Sequence, residues 1–339
     1  MLYNKQKIQN ALMAFKRGEI IIVVDDNSRE NEGDLVVAAQ FCTTEQMAFI
    51  IRHSSGIVCA PMTEQQAAKL ELPPMVESNS SAYHTAFTVS VDAKDGTTTG
   101  ISAYERALTA RKLADEKTVA NDFIRPGHLF PLIARNFGVL TRSGHTEAAI
   151  DLCKLCGIQP VAVIGELMND DGTVQNQKQL NAFAEKHNLP LITIADLILY
   201  RQDTEKIVKC VDKKYKYISD KEVLEYQYDI GNNIYDVIDF GTSCNKAAIY
   251  VSEDYIGDVE FIKLAKNYNR IICIICKESA KPNLVEHHKH AINREIFWSK
   301  YGAVTQILKD FSFEEFEIVS KHSEEEQKLY KELINKNGK

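Results

Sequence analysis

Ile20-Ile-Ile-Val-Val-Asp-Asp-Asn-Ser-Arg-Glu-Asn-Glu-Gly-Asp34 decides how the first part of the chain folds. Ile20–Val24 is an unbroken β-branched apolar run, the pattern of a strand buried on both faces. Glu30, Glu32 and Asp34 then follow at alternate positions, and alternate residues of an extended segment point the same way. Packed carboxylates repel one another unless a cation, a shared proton or a cationic substrate sits among them. The stretch therefore reads as a site at a strand end or, taken alone, as a solvated acidic turn.

Outward from this stretch, periodicity predicts a helix over Ile8–Arg17 and helices capped by Thr43 or Thr44 (to Arg52) and by Thr63 (to Leu70). A strand follows over Ala86–Val91, and then a helix opened by a Ser102/Glu105 capping box. Beyond a rigid turn at Pro126-Gly127 come a strand over Phe137–Thr141, a helix from Thr146 to Cys156 and a strand over Val161–Glu166. Two further helices, Gln177–His187 and Ala195–Tyr200, close the series. Such alternation implies an α/β fold, a three-layer αβα sandwich around a mixed sheet, with ligands at strand ends.

A chain of 339 residues exceeds the usual single domain. A boundary near 202–206 divides residues 1–202 from a smaller α+β domain over 206–339, with strands around Ile207–Val211, Val223–Tyr228, Tyr235–Phe240, Ala247–Val251 and Ile271–Cys276. That part also carries a predicted helix over Val259–Tyr268 and a charged tail over Glu324–Lys339. A net charge of −7 argues against a nucleic-acid partner. Eight irregularly spaced cysteines read as reduced thiols, and no apolar run reaches membrane length, so a soluble, cytoplasmic protein is expected.

Three more stretches weigh against a mere acidic turn. Arg125-Pro-Gly-His128 presents an imidazole, Arg142-Ser-Gly-His-Thr146 places a cation and an imidazole before a helix, and Glu166 closes an apolar strand. With Ser55-Gly-Ile-Val-Cys59, Ala86–Asp92 and Thr97–Ser102, these residues resemble the 3,4-dihydroxy-2-butanone 4-phosphate synthases, over about Ile8–Arg201. The resemblance implies a lyase that converts D-ribulose 5-phosphate to formate and a four-carbon phosphate in riboflavin biosynthesis. It implies that Glu30 and His145 bind one or two Mg²⁺ or Mn²⁺ ions, which stabilise an enediolate by Lewis-acid chemistry.

By the same resemblance, His128 and Glu166 are the acid/base residues, with either able to take the first proton. Arg29, Glu30, Asp34, His145 and Glu166 contact substrate, while Arg142, Ser143, Gly144 and Thr146 grip its phosphate at a helix N-terminus. Glu32 orients its neighbours or carries protons, Cys59 is a buried residue or a pocket wall, and Thr99 belongs to a covering loop or a plain turn. The family implies a homodimer with active sites near the interface, which His128 could cross. His53, His84, Cys153 and Cys156 read as structural.

The second half resembles a GTP cyclohydrolase II that has lost its zinc. Asp254 stands where a cysteine ligand is required, and residues 259–269 contain no cysteine, although Tyr301–Leu308 keeps the family pattern. Cys273 and Cys276 face opposite sides of a strand, and His287, His288 and His290 read as a surface cluster. No zinc is expected there. The alternatives are a bifunctional enzyme that also opens GTP and a non-catalytic sensor of a sugar phosphate or flavin.

Overall fold

The computed structural model describes residues 4–25, 30–205, 208–218, 221–230, 233–241, 246–252, 264, 266–268, 270–277, 304, 307–308, 310–311 and 315–318. Described residues through Tyr200 form one compact unit, and those from Arg201 onward a second.

The first unit is built on a seven-stranded mixed sheet. Its strands are β1 (Ile21–Val24), β2 (Gly33–Ala38), β3 (Cys59–Met62), β4 (Val91–Ala93), β5 (Phe123–Ile133), β6 (Ala162–Glu166) and β7 (Leu191–Thr193), in the order β4-β5-β3-β6-β2-β1-β7. β1 pairs in parallel with β7 and β3 with β5, and the other ladders are antiparallel. The helices are α1 (Lys5–Lys16), α2 (Thr44–His53), α3 (Glu64–Lys69), α4 (Ala103–Ala114), α5 (His145–Cys156), α6 (Gln177–His187) and α7 (Ile194–Thr204).

Helices cover both faces, which is why β1 and β2 are buried at every position. Ile22, Val24, Leu35, Val37 and Val163 join Met47 and Ile50 of α2 and Ala107, Ala110 and Leu113 of α4 in one core. The intervening Ile21, Val23 and Val36 are equally buried, on the side where α1 and α5 pack on each other and against β1 and β2. Capping boxes at Thr43/Gln46 and Ser102/Glu105 start α2 and α4, and left-handed Gly157 ends α5.

Three local expectations are corrected. Ala86–Val91 does not form a continuous strand: residues 87 and 88 make isolated bridges, because the Val89 N–H donates to the Pro73 carbonyl and the Thr88 N–H to the Pro131 carbonyl, and neither proline has an N–H to return. Phe137–Thr141 contains a 3₁₀ turn instead of a strand, since Phe137 and Gly138 are left-handed and the Asp151 carboxylate accepts the Val139 N–H at 2.8 Å. Arg125–His128 is no free turn but part of the eleven-residue β5. Asp92 pairs with Ile124 and Val91 with Leu129, so residues 125–128 bulge out of the ladder, beginning at a cis Arg125–Pro126 bond.

The second unit carries a six-stranded sheet of β8 (Lys209–Ile218), β9 (Lys221–Ile230), β10 (Asn233–Asp239), β11 (Lys246–Ser252), β12 (Arg270–Lys277) and β13 (Glu315–Ile318), in the order β13-β11-β12-β10-β9-β8. Ala248, Tyr250, Ile271, Cys273 and Ile275 belong to its core. Asp254, His287, His288, His290, most of the 259–268 helix and the 324–339 tail lie outside the described residues. Among the described residues, no helix is long and apolar enough to cross a membrane.

Candidate active site

The antiparallel register of β2 with β6 places Asp34 directly opposite Glu166. Both open onto a cavity whose wall includes Glu30, Ser55, Ile57, Cys59, Thr85, Phe87, Leu132, Arg142, His145, Thr146 and Ile164. Asp34 is almost fully buried. Its carboxyl is held well above the usual carboxylate range, first by burial and then by the charges of Glu166, Glu30, Glu32 and Asp25. Burial also raises Glu166. The Cys59 thiol is pushed up by burial and by Asp34 and Glu166, which makes it a protonated wall residue.

The acidic loop is shaped by a residue that the sequence reading did not single out. Asp25 follows β1 and is buried; its Oδ2 accepts the Glu30 N–H at 3.1 Å and its Oδ1 the Glu32 N–H at 2.9 Å. The Asp25 N–H in turn donates to the Glu32 carbonyl at 3.1 Å. Asn31 is left-handed, with φ 56°, so the segment is not extended and simple alternation fails. Glu30 and Asp34 reach the cavity wall, whereas Glu32 does not, although its charge is felt by Asp34. The available signal for Asp25 was its position at the end of the apolar strand.

Asp25, Glu30 and His145 each offer a ligand atom, all within 4.8 Å of one another. His145 is buried at the start of α5, with Nδ1 3.8 Å from Asp34 Oδ1. That Asp34 oxygen is buried and accepts no hydrogen bond among the described residues. Two carboxylates and one imidazole, beside the buried carboxyl of Asp34, fit a hard divalent cation such as magnesium.

Gly144, next to His145, caps α5 without a side-chain hydrogen bond, and a helix N-terminus of this kind suits an anion. Arg142 lies alongside: Nη1 donates to Glu147 Oε2 at 2.6 Å, Nη2 to Thr85 Oγ1 at 3.1 Å, and Nε and Nη2 to the Tyr83 carbonyl at 3.3 Å. A Cβ at residue 144 would strike the Arg142 guanidinium, so only glycine permits this approach.

Of the residues expected from sequence, the cavity thus gathers Glu30, Asp34, Cys59, Arg142, His145, Thr146 and Glu166. Ser143, Gly144 and Thr99 are not on its wall, and Thr99 is solvent-exposed. Arg29 lies outside the described residues. His128 is absent from the wall as well, with a 41% exposed side chain bonded to Asp92. Thr85 is a wall residue that the sequence reading did not single out, while Ser55 and Phe87 lie in stretches that carry the resemblance but were given no role of their own.

A family model described as 3,4-dihydroxy-2-butanone 4-phosphate synthase matches residues 9–200. The 3,4-dihydroxy-2-butanone 4-phosphate synthase of Helicobacter pylori (strain ATCC 700392 / 26695) is 40% identical, over 90% of this chain and 87% of its own. Among solved structures, a two-domain 3,4-dihydroxy-2-butanone 4-phosphate synthase from A. baumannii matches with a TM-score of 0.79 and 31% identity, covering 94% of both chains. A 3,4-dihydroxy-2-butanone 4-phosphate synthase in complex with two magnesium ions matches 58% of this chain and 97% of its own, with 47% identity and a TM-score of 0.57.

Proposed function

The chain belongs to the 3,4-dihydroxy-2-butanone 4-phosphate synthase family, and from that premise we propose how its own residues serve the lyase reaction that turns D-ribulose 5-phosphate into 3,4-dihydroxy-2-butanone 4-phosphate and formate. The observation that carries the assignment is the convergence of Glu30, Asp34, His145 and Glu166 on one cavity that also holds Arg142. The reaction belongs to riboflavin biosynthesis, and residues 1–202 carry it.

Glu30 and His145 would hold magnesium, or manganese in the same oxygen-rich site, with Asp25 close enough to join them. When bound, the metal supplies Lewis-acid stabilisation of the oxyanion that develops as a proton leaves the carbon beside a ketone. Arg142, Thr146 and the open N–H groups of α5 bind the phosphate, with Ser143 and Gly144 shaping the approach. Asp34 and Arg29 contact the sugar. Glu166, whose carboxyl burial raises, is suited to take up and return protons.

His128 enters the site from a second copy of the chain. Its place off the cavity wall, with a partly exposed side chain, supports a homodimer in which each copy completes the other's site. Free thiols at Cys42, Cys59, Cys153, Cys156, Cys210 and Cys273 agree with a cytoplasmic enzyme. Residues 206–339, in contrast, lack cyclohydrolase chemistry: Asp254 replaces a cysteine ligand, and Cys273 is buried in a strand.

Formate release from D-ribulose 5-phosphate tests the assignment. EDTA should abolish it, and added Mg²⁺ should restore it. Full activity in EDTA would overturn the metal site, and no activity under any condition would overturn the function.

A further inference from the structure

Asp92 is a buried acid that lies off the cavity wall and grips His128, a proposed acid/base residue. Asp92 lies in β4, opposite the bulge formed by residues 125–128. Its Oδ1 accepts the His128 backbone N–H at 2.8 Å, and its Oδ2 lies 2.7 Å from His128 Nδ1. A carboxylate only accepts hydrogen bonds, so this contact requires a proton on Nδ1. Nε2 is then the free position of the neutral ring.

The surroundings hold this carboxylate in place. A Cβ on left-handed Gly100 would overlap the Asp92 carboxylate, and a Cβ on Gly127 would overlap the Val91–Asp92 backbone. Gly127 donates to Ser90 Oγ at 3.1 Å, and the Ala93 N–H donates to Thr109 Oγ1 at 2.9 Å, which fixes β4 on both sides of Asp92. Arg106 is buried close enough for its charge to feel Asp92. The Thr97–Gly100 loop is itself pinned to Glu105 through the Thr98 N–H and hydroxyl.

We propose that Asp92 is a positioning residue for the lyase reaction: it holds the His128 ring in the Nδ1–H tautomer, turning Nε2 toward the site that a second copy completes. This rests on the reading of His128 as an acid/base residue. Asn at position 92 preserves shape but has a single acceptor oxygen. Once that oxygen takes the His128 N–H, the amide NH₂ faces Nδ1 and favours the opposite tautomer, with the proton on Nε2.

The test compares Asp92→Asn, Asp92→Glu and His128→Gln in the full chain, using ring ¹⁵N shifts of His128 and the steady-state kinetics of formate release. Asp92→Asn should move the proton from Nδ1 to Nε2 and lower kcat about 100-fold with little change in KM, and Asp92→Glu should recover part of the loss. Unchanged ring shifts and unchanged kcat in Asp92→Asn, beside an inactive His128→Gln, would overturn the role of Asp92 alone. Wild-type kcat in His128→Gln would overturn the acid/base reading and this proposal with it.

Discussion

Asp34 and Glu166 are paired residues on neighbouring antiparallel strands, two acids directly opposite each other at a position where apolar or opposite-charge pairs are the stabilising choice. Like charges in that relationship oppose folding, and burial adds to the cost. Both line the cavity that Glu30 and His145 also line, and the use proposed for them there accounts for their retention. A divalent cation bound there would relieve the repulsion that the bare protein carries.

That relief gives a pH signature. The folded-state values of Asp34 and Glu166 are raised above the unfolded carboxyl range of about 4. Their contribution to stability is thus full below that range and is lost as pH rises through the raised folded values. In EDTA, the wild type should lose Tm relative to Asp34→Asn as pH increases, and Mg²⁺ should stabilise the wild type more at higher pH. Parallel Tm curves for the two proteins in EDTA would contradict the raised value for Asp34.

Asp25 shapes the loop through two backbone N–H groups, and its carboxylate lies within ligand range of Glu30 and His145. Asp25→Asn should weaken Mg²⁺ binding about 10- to 100-fold, measured by calorimetry. Glu30→Gln and His145→Ala should remove detectable binding and turnover with circular dichroism unchanged. Wild-type consumption of substrate by either of these two variants would refute the metal assignment.

The Arg142 guanidinium is pre-aimed by Glu147, which is buried and also accepts the Arg135 N–H at 2.9 Å. Arg142→Ala should raise KM about tenfold or more while kcat falls less, because a phosphate contact is made equally before and during reaction. Glu147→Gln should raise KM in the same direction by a smaller factor. An unchanged KM in Arg142→Ala would remove that residue from the phosphate site.

If His128 crosses to a second copy, two inactive variants should rescue one another. Mixing and refolding His128→Gln with Glu166→Gln gives mixed dimers, half of whose sites carry both intact groups, or about a quarter of all sites. Formate release near that fraction of wild type is expected. No rescue, with mixed dimers shown by mass spectrometry, would place His128 and Glu166 of one site on the same chain.

The second unit can be tested directly. Incubation of the purified full chain with GTP and Zn²⁺ should yield neither formate nor a diaminopyrimidine. Either product would show that residues 206–339 keep a ring-opening activity despite Asp254.

The amino-acid sequence by itself determined the strands and helices whose signals are local. The Ile20–Val24 run, the Thr43 and Ser102 caps and the apolar run closed by Glu166 all reappear within a residue or two. It also supplied, through the motifs that carry the family resemblance, the carboxylates, imidazoles and arginine of the proposed site, because residue identity is legible without coordinates. Tertiary structure decided what depends on partners distant in sequence. Left-handed Asn31 turns Glu32 away from the wall, prolines limit residues 86–90 to two isolated bridges at 87 and 88, and the β4–β5 register converts a turn at Pro126-Gly127 into a bulge held by Asp92. Each is set by which hydrogen bonds remain once the sheet has formed, and neither periodicity nor composition records that.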